Sequence, residues 1–310
     1  PISMNPISVV FIGTGAFGVS ILRGLATDPD FHIPLVITGQ DKAVGRGLKT
    51  VFSPVKETAI VNKLIVQQPL SIGELKQKLI QLKPDYLLVV AYGEIMTKEI
   101  LDIPTIASVN IHASLLPKYR GASPIQESIL HGDSETGITW IKMDSKMDTG
   151  DTIAQKSLKI SEDDTFETLY KHLSDFAAQN TGEILTKFAK NRASEPQNNQ
   201  VATYCKKIQK NDGFIDVYKG TALEILRKIR AYTPWPGCSI LWNGKRLKIT
   251  QAVIGEQKIS TGMVQVVDGK ILAIGTLKGA LLPLEVQPES KRKMNIKEFL
   301  KGYLAKAGYL

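Results

Sequence analysis

The stretch Val9-Val10-Phe11-Ile12-Gly13-Thr14-Gly15-Ala16-Phe17-Gly18 decides the fold class. Four consecutive apolar residues, three of them β-branched, read as a short buried strand, and the glycine turn leads into a helix carrying Val19, Leu22 and Ala26 on one face. Strand, tight turn and helix in that order open a doubly wound, Rossmann-like α/β sheet. The same spelling, Gly-x-Gly-x-x-Gly, also raises a dinucleotide site. The next strand-like run, 34–38, ends in Gly39-Gln40 where a ribose-binding Asp or Glu belongs, and Asp41 comes one or two positions late. Further along, a strand over 85–91, a helix over 94–101 and a strand over 107–112 continue the alternation of a parallel sheet. From 164 to 190 the chain is amphipathic, with Asp164-x-x-Glu167 as a capping signal. Its aromatics, Phe166, Tyr170, Phe176 and Phe188, lie on the apolar face and read as core.

Asn110-Ile111-His112 closes one of these strands, and Pro117 and Gly121 break the pattern after it. Period-2 alternation points Asn110 and His112 to one side and Ile111 to the other. An amide and an imidazole thus emerge together at a strand's carboxyl end, where open α/β sheets place their ligands. Asp148, in Met147-Asp148-Thr149-Gly150-Asp151, follows another strand-like run, 137–143. Each fragment alone is ordinarily a turn: Asn-x-His a turn former beside a satisfied histidine, Asp-Thr-Gly-Asp a self-capping loop. Together they are the parts for acyl transfer to an amine. The amide and imidazole can hold a developing oxyanion, and the carboxylate can orient and charge the imidazole.

The 310 residues, 43% apolar and 22% charged, suffice for two globular domains. The longest apolar run, 86–92, is far too short to span a membrane, and no basic segment followed by an apolar one marks the chain for export. Cys205 and Cys238 are far apart and lack metal-site spacing, and His32, His112, His131 and His172 form no ligand cluster. A metal enzyme is not expected, nor a membrane partner; a reducing cytoplasm is the expected location and a monomer the expected state.

Residues 191–200 are polar, aperiodic and contain Pro196, so they read as a linker. Beyond it the pattern changes to a helix over 221–232, hairpin turns at Asn243-Gly244 and Asp268-Gly269, and a closing helix over 295–306. Short hairpin-linked strands of this kind suggest a small OB-like β-barrel, a fold that commonly binds nucleic acid. Charge separates at the same place. Residues 207–310 hold 18 Lys and Arg against 8 Asp and Glu, whereas residues 1–206 hold 21 against 22. Segregation on this scale favours a polyanion partner, although scattered lysines can be no more than a solvated face.

The motifs taken together resemble the folate-dependent formyltransferases: Asn110-x-His112-x-Ser114-Leu115-Leu116-Pro117, then Tyr119-Arg120-Gly121-Ala122-Ser123-Pro124-Ile125, Gly132-Asp133, Glu135-Thr136-Gly137 and Met147-Asp148-Thr149-Gly150. The resemblance runs through most of the chain. It departs at Gly15, where the family usually has Pro. The segment 229–236 resembles the start of the C-terminal domain found in the branch of the family that acts on aminoacylated tRNA. The resemblance implies residues 1–190 as a catalytic domain, 191–206 as linker and 207–310 as a tRNA-binding domain. It implies 10-formyltetrahydrofolate as co-substrate and the α-amine of initiator methionyl-tRNA as acceptor. Asn110, His112 and Asp148 are then the catalytic set. Ser114, Leu115, Leu116 and Pro117, with Tyr92-Gly93 at a neighbouring strand end, are expected to meet the folate. The glycine-rich loop with Lys42, Arg46 and Lys49 resembles the family's loop that enters the tRNA acceptor arm. Three alternatives stay open: a nucleotide-sugar N-formyltransferase with the same catalytic set, an NAD-dependent oxidoreductase built on Gly13–Gly18, and a non-catalytic RNA-binding protein with a decayed N-terminal domain, against which the intact Asn110, His112 and Asp148 set argues.

Overall fold

The computed structural model describes residues 5–44, 49–303 and 308–309. The chain divides into two compact units, one of Pro1–Gly121, Thr136–Lys159 and Tyr170–Tyr204, the other of Ala122–Glu135, Ile160–Leu169 and Cys205–Leu310.

The first unit is built on β1 (Ile7–Gly13), β2 (Phe31–Ile37), β3 (Val66–Gln67), β4 (Tyr86–Val90), β5 (Ala107–His112), β6 (Glu135–Lys142) and β7 (Thr152–Lys159), in the order β7-β6-β5-β4-β1-β2-β3. β1 pairs in parallel with both β2 and β4, β4 with β5 and β2 with β3, while β6 runs antiparallel to β5. The sheet is therefore mixed, Rossmann-like with an antiparallel flank. Strand order reverses between β1 and β4, so the carboxyl ends of those strands and of neighbouring β5 form the crevice where such sheets bind ligands. Val9 to Ile12 and all of β4 are buried, as strands covered on both faces must be.

The glycines of the opening motif have packing reasons. A Cβ on Gly13 would lie 2.5 Å from the Val90 carbonyl oxygen of the neighbouring strand, and one on Gly18 would press on Phe11 and Val55. Gly15 faces only ordinary contacts, Ala91 Cβ and the Tyr170 hydroxyl at 3.8 Å, so close packing does not require a glycine there. Helix α1 (Phe17–Thr27) buries Phe17, Ile21, Leu22 and Leu25. Its inner face is rotated from the Val19, Leu22, Ala26 line that the sequence suggests. Phe17 starts the helix and packs edge-on against Tyr170, with ring centroids 5.3 Å apart, and this turns Ile21 and Leu25 inward.

Helix α2 spans Pro124–His131. The long helix α3 (Phe166–Asn191) is capped one residue later than Asp164-x-x-Glu167 suggests. The Thr165 hydroxyl accepts from the Thr168 N–H, and the Thr168 hydroxyl accepts from the Thr165 N–H. Asp164 braces the turn before it, accepting from the Ser161 N–H and the Thr168 hydroxyl. In the first unit, buried Trp140 donates to the Thr181 hydroxyl at 3.1 Å and Tyr86 to the Leu185 carbonyl at 2.7 Å, so the helix-covered core leaves these polar tips paired.

In the second unit, helix α4 (Ala222–Tyr232) begins with a Thr221/Glu224 capping box. An antiparallel sheet follows, formed by β8 (Cys238–Trp242), β9 (Lys245–Gly255), β10 (Met263–Val267), β11 (Ile271–Gly275), β12 (Ala280–Pro288) and β13 (Gly308–Tyr309), in the order β8-β9-β12-β11-β10-β13 with Met294–Asn295 beside β12. Asn243-Gly244 and Asp268-Gly269 have positive φ at both positions (48° and 73°, 51° and 63°), the turn geometry that matches the twist of a hairpin. The closing helix is Ile296–Gly302, with Asn295 as its cap. Among the described residues no helix is long and apolar enough to cross a membrane, and no group of three or more His, Cys, Asp or Glu could hold a metal ion.

Candidate active site

Strand β5 delivers Asn110 and His112 to the same side, because both reach one carboxylate oxygen. Asn110 Nδ2 lies 3.4 Å and His112 Nδ1 3.6 Å from Asp148 Oδ1. Both distances are longer than a well-formed hydrogen bond. The other carboxylate oxygen, Oδ2, accepts the Gly121 N–H at 2.8 Å. His112 Nε2 donates to the Tyr119 carbonyl at 2.9 Å, since a carbonyl can only accept. The imidazole is 6% exposed and the Asp148 side chain 12%, so water screens their attraction poorly.

Two residues here hold left-handed backbone, Asp148 at φ 56° and Tyr119 at φ 60°. Asp tolerates that region, but a bulky Tyr persists in it only when partners over-determine it. The Tyr119 N–H is held by the Thr203 hydroxyl at 2.8 Å and its carbonyl by His112. Asp148 comes from the loop between β6 and β7. That loop closes onto β6 through the Lys142 N–H and Asp151 carbonyl at 2.8 Å. Gly150 makes the closure possible, since a Cβ there would sit 1.8 Å from the Lys142 carbonyl oxygen. Gly150→Ala is expected to cost about 1–3 kcal/mol or more through forced backbone movement, and to lower turnover by displacing Asp148. Thermal unfolding and rate measured on the same preparation check this. A variant with the parent's melting temperature and rate would disprove the close approach.

The loop with Ser114, Leu115, Leu116 and Pro117 follows His112 directly. Thr139 and Gln155, which no motif in the sequence marks, pin it. The Thr139 hydroxyl donates to the Ser114 carbonyl (2.6 Å) and accepts the Leu116 N–H (3.1 Å), while Gln155 donates to the Leu116 carbonyl (2.9 Å). The only cue in the sequence is a polar Thr139 inside the apolar strand around Trp140. Tyr92-Gly93 follows β4, whose Val89 pairs with Asn110 in register, so it flanks the carboxyl edge of β5. Burial, with Glu94 nearby, pushes the Tyr92 hydroxyl up to about 12, which leaves it a neutral donor near pH 7. Cys238 in the second unit is likewise pushed up to about 12 by burial and is no nucleophile.

Lys42 and Lys49 lie on a short antiparallel pair, Lys42–Val44 with Lys49–Val51, and Lys42 is exposed. Arg46, like Gly45 and Gly47, lies outside the described residues. The base of this hairpin is tied down. Asp41 pairs with Lys56 at 2.5 Å and accepts from Gln68 at 2.8 Å, and the Lys56 bond above all holds its carboxyl below the usual carboxylate range. The candidate ribose ligand of the dinucleotide reading is thus already engaged. The polar segment 191–200 is held within the first unit: Glu195 and Thr152 exchange backbone hydrogen bonds, and Gln197 and Asn199 accept from Arg120.

Residues 7–185 match the family model described as Formyl transferase, and residues 207–304 that described as Formyl transferase, C-terminal domain. The fold and these two matches define a formyltransferase. A methionyl-tRNA formyltransferase of Caldanaerobacter subterraneus subsp. tengcongensis is 41% identical over 300 residues, which are 95% of this chain and 96% of that protein. The chain belongs to the methionyl-tRNA formyltransferase family. Among solved structures, the N-formyltransferase from Helicobacter canadensis in complex with folinic acid and dTDP-3-aminofucose aligns with a TM-score of 0.66 at 22% identity, over 91% of this chain and 99% of that one. HypX from Aquifex aeolicus in complex with tetrahydrofolic acid aligns with a TM-score of 0.63 at 17% identity, over 98% of this chain and 48% of that one. This chain therefore spans about half the length of HypX, and at these identities both structures speak to the fold alone.

Proposed function

We propose that the chain transfers the formyl group of 10-formyltetrahydrofolate to the α-amine of methionyl initiator tRNA. The observation that carries the mechanism is the approach of Asn110 and His112 to a single oxygen of Asp148. The nucleophile belongs to the acceptor, so no Ser, Cys or Lys of the protein needs activation. The amine's lone pair attacks the formyl carbon and the carbonyl becomes an oxyanion. Asn110 has an amide N–H to spare for that oxygen, and the His112 Nδ1 edge facing Asp148 supplies the second donor as the imidazolium, since Nε2 already donates to the Tyr119 carbonyl. Both approaches to Asp148 are long, as catalytic hydrogen bonds often are before substrate tightens them. Collapse of the intermediate breaks the bond to the folate nitrogen, and the proton lost by the amine passes to that nitrogen with Asp148 assisting. Tyr92-Gly93 and the 114–117 loop form the folate side of the site.

Residues 1–190 serve as the catalytic part, 191–206 as the connection and 207–310 as the tRNA-binding part, with Lys42, Arg46 and Lys49 meeting the acceptor arm. The basic excess of residues 207–310 supports tRNA over a nucleotide sugar, which has no use for it. Formylation of charged initiator tRNA, with and without 10-formyltetrahydrofolate and beside an amino-sugar nucleotide, tests the reading. Product from the sugar alone would overturn it. NAD and NADP are expected to give no thermal shift, because Gly13 and Gly18 answer to packing and Asp41 to Lys56.

A further inference from the structure

Gln197 lies in the polar segment that reads as a spacer, yet its side-chain amide is fully used. Nε2 donates to the carbonyls of Asp148 (2.9 Å) and Gly150 (2.7 Å), and Oε1 accepts from Arg120 Nη2 (2.8 Å) and Nε (3.1 Å). The orientation of the amide is fixed by its partners. Carbonyls only accept and a guanidinium only donates, so nitrogen must face the loop and oxygen the arginine. Arg120 is 1% exposed and donates also to Asn199 Oδ1 at 2.8 Å and to the Tyr204 hydroxyl at 3.2 Å.

Two consecutive residues thus reach the same aspartate from opposite ends. The Gly121 N–H grips its carboxylate, and the Arg120 side chain grips its main chain through Gln197. Asp148 needs such a grip. At φ 56° no regular hydrogen-bond ladder sets its carbonyl, and a left-handed residue keeps its geometry only when its surroundings impose it. We infer that Gln197 is a positioning residue for this reaction: through its two N–H donors it fixes the backbone of Asp148, and so the distance from the carboxylate to Asn110 and His112. The inference rests on the proposed catalytic role of Asp148.

Gln197→Ala removes the bridge. Gln197→Glu keeps its size and its acceptor for Arg120 but places a carboxylate oxygen against two carbonyls. Both variants, in the full chain, are expected to lower kcat on charged tRNA by about 10- to 100-fold, the range a misplacement of about 1 Å can cost. KM for tRNA and for 10-formyltetrahydrofolate should stay within about threefold of the parent, as expected when only a transition-state interaction is removed. Parent-like kcat in Gln197→Glu would overturn the proposal, because the donors would then not matter. A fall in kcat matched by rising KM and a lower melting temperature would overturn it too, as general loosening. Asp148→Asn, run in parallel, separates the two readings. If it works like the parent, the catalytic role of Asp148 fails; if it is dead while the Gln197 variants keep full kcat, the positioning role alone fails.

Discussion

Asp148→Asn and His112→Ala are each expected to reduce turnover by at least about 100- to 1000-fold, the usual cost of one oxyanion donor or one general acid–base group. The two variants reach that result differently. Asparagine at 148 keeps the shape and one oxygen for the Gly121 N–H, but turns an N–H₂ group toward the Asn110 amide, itself a donor, and toward the His112 Nδ1 edge, which is a donor as well in the imidazolium form that the mechanism uses. Donor facing donor removes the orientation of the imidazole with little change in packing, so stability should remain near the parent's. His112→Ala is harsher. The ring is buried and bonded to the Tyr119 carbonyl, so truncation leaves a void and takes a donor away from a left-handed tyrosine. A fall in melting temperature is expected along with the slower rate. Asn110→Ala belongs with Asp148→Asn if its amide holds the oxyanion. Single-turnover formylation, with calorimetry on the same variants, decides the matter. Parent-like chemistry in Asp148→Asn would remove the mechanism, whatever happens to His112→Ala.

The candidate site shows what a sequence can and cannot carry. Strand β5 is legible to the residue, since Ala107–His112 has the apolar β-branched pattern and Pro117 and Gly121 end it. The shared direction of Asn110 and His112 follows from the two-residue period alone. The Asn243-Gly244 and Asp268-Gly269 turns are legible for the same kind of reason, because few other residues accept two positive φ angles in succession. The supports of the site are not. Thr139, Gln155, Thr203 and Gln197 act on residues 16 to 84 positions away, through bonds that only the fold brings about. Nothing local to Gln197 separates it from the neighbouring polar residues. The opening glycine motif is legible as a turn but ambiguous in purpose. Its meaning depends on Val90, Phe11 and Val55, which no spacing rule names.

The affinity of the chain for charged tRNA is expected to fall on the order of 1000-fold or more between 50 and 200 mM salt, if about six or more phosphates are neutralised. The expectation follows from where charge sits. Residues 1–206 are nearly balanced and exert little pull on a polyanion, whereas residues 207–310 carry ten more basic than acidic residues. Some of that charge is already paired, as in Lys219–Asp216, Arg292–Glu298 and Lys293–Glu285, but Lys245 and Arg246 stand exposed beside the Asn243-Gly244 turn. Neutralising these two with Gln should reduce the slope of log affinity against log salt by about 0.7–0.9 for each phosphate they no longer neutralise, and leave reaction with a small amine acceptor unchanged. Substitution is a cleaner test than truncation. Residues 122–135 and 160–169 pack in the same unit as 205–310, with the Arg227 guanidinium against Gly132, so deleting the C-terminal part would strip α2 of its partner α4. Arg46→Ala should act differently, lowering catalysis on tRNA while leaving the salt slope nearly intact, because a single contact to the acceptor arm of the kind proposed for Arg46 positions more than it attracts. Salt-insensitive tRNA binding, or full affinity after neutralising Lys245 and Arg246 with their basic neighbours, would reduce the C-terminal charge to a solubility feature and favour a small acceptor.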